Sequence, residues 1–171
     1  MDVERAVQIV AAASDLAVRA VRADDWPRIL EIAATAYPPE VESPAEMRAK
    51  AAAGWLLVHD PGPVAAYALA VPWASYEPPA MHLVDIARAV EPTTLWVHDV
   101  CVHSDWHGQG IGQRLMAGLV EVARAAHYEA LIAVAVGGAE QVWFRDGWQR
   151  SDMPLPDGYA AGSVPIIYRL S

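Results

Sequence analysis

A single cysteine, Cys101, stands among the 171 residues. No intramolecular disulfide can form, and a cysteine-rich zinc site is excluded. Long apolar runs are missing too: no stretch approaches the roughly twenty uncharged apolar residues that cross a bilayer. Basic residues are scarce, 12 against 21 acidic, for a net charge of −9. That balance disfavours a protein that tracks nucleic-acid phosphates with clustered Lys and Arg. It suits a neutral or cationic small partner, and it equally serves solubility alone. The opening "MDVERAVQIVAAASD" carries charge inside every apolar run, unlike a signal peptide, so a cytoplasmic protein is the expectation.

What is present is apolar: 54 % of the residues are hydrophobic, enough for one domain with a substantial core. Residues 1–14 read as an amphipathic helical extension, leaving 15–171 as the domain. Asp15 to Val21 alternates as a strand. A helix follows, with Asp24 or Asp25 as its cap, Pro27 in its first turn and an end before Pro38. A second helix starts at Ser43 with Pro44 first and Glu46 closing a capping box, and it stops at Gly54. Trp55 to His59 and Val64 to Val71 form a hairpin through "DPGP". Pro72 to Pro92 is the least regular stretch, with a short helix over "MHLVDIARAVE". Thr93 to Val102 reads as a central strand. A glycine-rich turn leads into a long helix, then a buried strand over "EALIAVAV", a short helix over "GAEQVWFRDGW", and an apolar last strand, "VPIIYRL", expected at a sheet edge with Pro165 near its start. The order implies a mixed α/β domain.

The turn "HGQGIG" places Gly108, Gly110 and Gly112 within five residues. Missing side chains leave successive N–H groups unshielded, and the helix that follows adds the positive end of its dipole. Together these suit a phosphate or pyrophosphate. No Lys-Ser or Lys-Thr follows, so this is not the nucleoside-triphosphate loop, and the glycine spacing is not that of a dinucleotide fold. Spacing alone leaves an anion cradle and an ordinary turn both open.

The run "VHDVCVHSDWHGQGIGQRL" resembles motif A of the GNAT superfamily, the acyl-CoA-dependent N-acetyltransferases, whose Q/R-x-x-G-x-G/A falls here on His107 to Gly112. "LAVRAVRADDWPRILEIAATAY" is similar to the family's first strand and helix, and "GAEQVWFRDGW" to its closing segment. The resemblance implies a splayed, mostly antiparallel sheet of about six or seven strands flanked by helices, with acetyl-CoA between the fourth and fifth. It implies that Gly108, Gln109, Gly110, Ile111 and Gly112, with Gln113 and Arg114 in the helix, hold the pyrophosphate, and that Val100, Cys101 and Val102 pair with the pantetheine arm. His107 stands where the family usually has Arg or Gln. Trp143 stands where many relatives carry the tyrosine that protonates the thiolate, and an indole has no O–H to give.

The reaction so implied is attack of a primary amine, expected to be a small molecule, on the thioester in a ternary complex. An alkylammonium, with a pKa near 10, must first lose a proton. His98 is the candidate base; strict alternation would put it on one face with Trp96, Val100 and Val102, and Asp99 on the other with Val97 and Cys101. His98 matches in register a histidine of the arylalkylamine N-acetyltransferase branch, and a nearer resemblance is to a group of GNAT proteins with a His-Asp pair on this strand (His98, Asp99) and a Pro-Trp…Pro-Pro loop upstream (Pro72, Trp73, Pro78, Pro79). A core histidine bonded to Asp99 or main chain is the structural alternative. Asp99 is a candidate buried partner or amine anchor, Tyr159 a candidate acid, and Trp73 and Tyr76 a candidate acceptor wall. Cys101 is expected to be inert packing. His98, His103 and His107 lack a carboxylate at matching spacing, so no metal is expected. Two other readings stay open: a CoA-binding domain without transfer activity, and a peptide or lysine acetyltransferase. The last strand also offers an edge for a homodimer.

Overall fold

In a computed structural model, residues 17–37, 42–80 and 91–170 are described. The helices expected over residues 1–14 and 81–91 lie outside that set, apart from residue 91. Seven strands form one sheet: β1 (Val18–Ala20), β2 (Trp55–His59), β3 (Ala66–Trp73), β4 (Thr94–Val102), β5 (Ala130–Ala135), β6 (Gln149–Arg150) and β7 (Val164–Arg169). Their order is β1-β2-β3-β4-β5-β7-β6, and only β4 and β5 run parallel. Among the described residues four α-helices flank it: α1 (Trp26–Ala36), α2 (Pro44–Ala53), α3 (Ile111–Ala125) and α4 (Glu140–Arg145).

Local chemistry fixes the helix ends. At α2 the capping box forms, with Ser43 N–H donating to Glu46 at 2.6 Å and Glu46 N–H to the Ser43 hydroxyl at 3.3 Å. At α1, Asp25 is the residue before the helix, but its carboxylate takes no helical N–H. It receives two Arg19 donors, at 2.7 and 2.9 Å, and the Arg22 N–H at 2.6 Å. The Arg19 bonds hold its pKa below the usual carboxylate value against the opposing effect of burial. Arg19 also reaches Asp60 at 2.6 Å, so this guanidinium ties β1 to the end of β2 and the entry of α1.

α3 lays Leu115, Leu119 and Val122 on one sheet face, over Leu57, Ala68, Leu95 and Leu131. Ile29 and Ile32 of α1 and Met47 of α2 cover the other, against Leu56, Val58, Tyr67 and Cys101.

Three expectations change. β3 continues through Pro72 and Trp73, because β2 has ended at Trp55 opposite Ala70 and no neighbour on that side needs the missing N–H. β7 is not an edge: β5 pairs along one side and β6 holds Ile166 and Ile167 on the other, which removes the free apolar edge offered for a homodimer. Alternation along β4 is broken. Leu69 faces Asp99 and Ala70 faces Val97, so His98 is left without a partner, as a β-bulge.

Gly54 ends α2 where the chain crosses β3. A Cβ there would lie 2.1 Å from the Ala70 carbonyl oxygen and 2.9 Å from the Val71 Cα, both backbone atoms that cannot step aside. Gly54→Ala is expected to destabilise the fold by about 3 kcal/mol, which lowers Tm by on the order of 10 °C. Thermal unfolding by circular dichroism checks this, and an unchanged Tm would show that the crossing is not tight.

Candidate active site

The bulge re-sorts the residues of β4. Leu95 and Val97 belong to the α3 side with Val100 and Val102, whereas Cys101 packs under α1 and α2. His98 leans on Trp96, ring centroids 4.8 Å apart and edge-on. Asp99 is buried and accepts from Tyr37 at 2.9 Å and from Tyr67. The expected division, with His98 beside Val100 and Asp99 beside Val97, is therefore corrected. An extra residue in the strand puts consecutive side chains, His98 and Asp99, on the side of α1 and α2.

Just at this point the sheet opens. β4 and β5 share four ladder pairs, from Thr94 opposite Ala130 to Val97 opposite Ala133. Beyond Val97 the strands part, and the β5-facing backbone of β4 has no ladder partner among the described residues. A cleft of about 110 Å³ fills the gap, with Tyr37, His98, Val100, Ala135 and Trp143 among its walls.

The glycine turn leads into α3, whose second residue, Gly112, lies beside the cleft walls Val100 and Trp143. Gly108 (φ +76°) and Gly110 (φ +72°) are left-handed, the conformation that disfavours a side chain. A Cβ on Gly108 would meet no atom within 4 Å, and one on Gly110 only the Gln113 side chain at 3.6 Å. Gly112 does not belong to the turn. It is the second residue of α3, and a Cβ there would lie 3.5 to 3.9 Å from Trp143, Val102 and Val100, in ordinary contact. His107 donates from Nε2 to the Val102 carbonyl at 2.8 Å, pinning the loop to the strand end. Gln113 donates to Asp146 at 2.9 Å, which ties α3 to the turn after α4.

Two polar clusters back the cleft. In the first, His98 Nε2 stands 3.1 and 3.2 Å from the two Glu42 oxygens and 3.2 Å from Lys50 Nζ, and Lys50 donates to Glu42. As N–H, the ring donates to Glu42; bare, it accepts from the Lys50 ammonium. Either protonation state finds a partner without rearrangement. Burial opposes the charge on Glu42, but the bonds and charges of His98 and Lys50 win and hold its carboxyl below the usual range. In the second cluster, burial pushes Asp99 up against its two tyrosine donors, and burial followed by the Asp99 charge pushes both phenols up. Cys101 is buried, which raises its thiol to about 12, as inert packing requires.

The remaining candidates sit further out. Trp73 Nε1 donates to the Glu77 carbonyl at 2.9 Å, and Tyr76 donates to Glu129. Tyr159 donates to the Pro79 carbonyl at 3.0 Å, and burial raises its phenol to about 12. It is not among the walls of the cleft around His98. Trp143 is, and it brings no O–H there. Tyr37, Glu42, Lys50 and Tyr67 escape a sequence reading because their partners are 32 to 62 positions away, or 8 in a segment that reads as a loop and cap. One signal was available for Lys50: it is the single lysine of the chain.

A sheet that opens between parallel central strands, with a glycine turn and helix at the opening, defines the acyl-CoA N-acyltransferase fold. The acetyltransferase (GNAT) family profile matches residues 19–142, and the chain belongs to that family. Among solved structures, a GNAT-family protein from Desulfovibrio desulfuricans is 22 % identical with a TM-score of 0.66, covering 90 % of this chain and 97 % of its own. A Mycobacterium tuberculosis protein solved in complex with CoA is 16 % identical with a TM-score of 0.65, covering 90 % and 99 %. The ribosomal-protein-S18-alanine N-acetyltransferase of Escherichia coli is 13 % identical with a TM-score of 0.66, covering 90 % and 93 %. No curated protein sequence matches the chain significantly.

Tyr67 is one of two donors that keep Asp99 satisfied. Tyr67→Phe is expected to cost about 2 kcal/mol at neutral pH, the penalty of a buried carboxylate oxygen left without its donor. Because Tyr67 favours the charged form of Asp99, the loss shrinks as acid protonates that carboxyl. Denaturant unfolding at pH 7 and pH 4 checks this, and an equal loss at both would mean that Asp99 is uncharged throughout.

Proposed function

We propose that the protein transfers the acetyl group of acetyl-CoA to a primary amine, through direct attack in a ternary complex. What carries the reading is the coincidence of His98, at the bulge, with the gap where β4 leaves β5.

The residues present fit the carrier. Open space in front of Gly108 and Gly110, with the N-terminus of α3 behind them, suits a diphosphate held by backbone amides. Ile111 and Arg114 belong to the first turns of that helix. The unpaired edge of β4 through Val100, Cys101 and Val102 offers main-chain groups to an amide-bearing arm. When bound, the carrier supplies an activated thioester. His98, directly or through water, takes the proton that an alkylammonium must lose, and Glu42 stabilises the imidazolium that results. In this reading a main-chain N–H of β4 donates to the oxygen as negative charge develops there.

The acceptor is read as a small amine. Beyond the cleft walls the chain after β3 is tied in place: Thr94 donates to the Trp73 and Ser75 carbonyls at 3.0 and 2.7 Å, and Tyr159 to that of Pro79. A peptide acceptor would need an open groove there. A second reading, CoA binding without transfer, is favoured by Trp143, which offers no acid to a leaving thiolate.

Purified protein incubated with acetyl-CoA and a panel of primary amines should release thiol and acetylated amine. His98→Ala is expected to lower kcat about 100-fold or more, with acetyl-CoA affinity by calorimetry unchanged. Binding without turnover for any amine would favour the second reading, and no binding would overturn both.

A further inference from the structure

Eleven arginines and one lysine make up the basic side chains of this chain. That lysine, Lys50, is not on the surface: its side chain is 4 % exposed, on the inner face of α2. Its ammonium donates to Glu42 and stands 3.2 Å from His98 Nε2. A carboxylate to hold positive charge and an imidazole to take a proton are what an acceptor alkylammonium needs, and Lys50 already occupies them. Arginine could not take this role, because the guanidinium stays protonated and is no nucleophile. The ammonium is also compact and sits on a flexible four-carbon stem, and the ring it stands 3.2 Å from, His98, itself lines the cleft.

We propose that Lys50 Nζ is an internal acceptor: the protein acetylates its own Lys50. The proposal rests on the reading of the cleft as an acetyl-CoA transferase site. Lys50 Nζ gives a proton to His98 Nε2, beside the Glu42 carboxylate. Its lone pair forms the new N–C bond to the acetyl carbon, and the C–S bond breaks with its electron pair on sulfur. The lysine ammonium and acetyl-CoA become acetyl-lysine, CoA thiol and one proton released to water. The product is neutral, so Glu42 loses its resident cation and becomes free to hold the ammonium of an external amine. Self-acetylation thus opens the acceptor position instead of blocking it.

The test is peptide mapping by mass spectrometry after incubating the full chain with acetyl-CoA and no added amine. One acetyl mass is expected on Lys50, approaching one per chain, at a rate at least about tenfold above that of a free peptide spanning residues 43–54. Glu42→Gln and His98→Asn, each checked for native circular dichroism, should slow the labelling by a similar factor. A parallel reaction with the amine panel separates the two ideas. Acetylated amine with unmodified Lys50 would overturn self-acetylation and leave the transferase reading in place. Labelling of Lys50 no faster than the free peptide would mark it as chemical acetylation and overturn the proposal. Neither lysine nor amine acetylated would overturn both.

Discussion

Everything at this site depends on the parting of β4 from β5 after Val97. Two adjacent parallel strands in a sheet core normally stay paired, because an unpaired backbone N–H or C=O away from water costs about as much as a lost hydrogen bond. Here pairing stops after four residues although β4 runs on to Val102 and β5 to Ala135. The bulge at His98 sits at the parting, and a bulge both bends its strand and raises its local twist. From the other side the start of α3 packs beside Val100, Val102 and Trp143 at Gly112. The outcome is a stretch of strand edge left without a β-strand partner, a state that favours any extended ligand carrying amides of its own.

The two polar clusters divide the work of keeping that gap stable and reactive. Asp99, Tyr37 and Tyr67 form a closed set: a buried carboxyl with a donor on each oxygen, holding β4 to β3 and to the end of α1. Such a network rigidifies when complete and penalises any partial version. Glu42, His98 and Lys50 form an open set, with Glu42 18 % and His98 13 % exposed, so solvent reaches its edge. Because they are neighbours in sequence, His98 and Asp99 would face apart on a regular strand. One inserted residue puts both on one side, the first with Glu42 and Lys50 and the second with Tyr37 and Tyr67.

The fold was largely legible in the chain. Ser43 with Glu46, Gly54, and Pro27 after Asp25 mark helix ends by mechanisms that operate within a few residues, and the structure follows them. The β-rich stretches were legible for the same reason, since alternation is local. What escaped is what depends on distant partners. The bulge has no glycine or proline to announce it; it exists because β3 and β4 pair in two registers on either side of Leu69 and Ala70. Asp25 looked like a cap and became an arginine partner, because Arg19 and Asp60 arrive from two strands. Gly112 looked like part of the turn and proved to be a packing residue within the helix. At the site, the glycine turn and His98 could be picked out by motif, whereas Glu42, Lys50 and Tyr37 could not. Nothing near them in sequence resembles a catalytic pattern.

The asymmetry between the two ends of the cleft follows from the acid–base demands of amide formation. An alkylammonium near pKa 10 is almost wholly protonated at neutral pH, so the nucleophile's side needs a proton acceptor close by. A thiolate with pKa near 8.5 is a tolerable leaving group without assistance and picks up its proton from water afterwards. The structure is unequal in the same sense. His98 is backed by a carboxylate and an ammonium, while the opposite wall presents Trp143, an apolar ring with a single N–H donor. An indole there supplies no acid, but with Val100 and Gly112 it packs the wall where α3 and α4 meet the cleft. In the proposed transfer, an indole at that wall leaves proton handling to the side where His98, Glu42 and Lys50 meet.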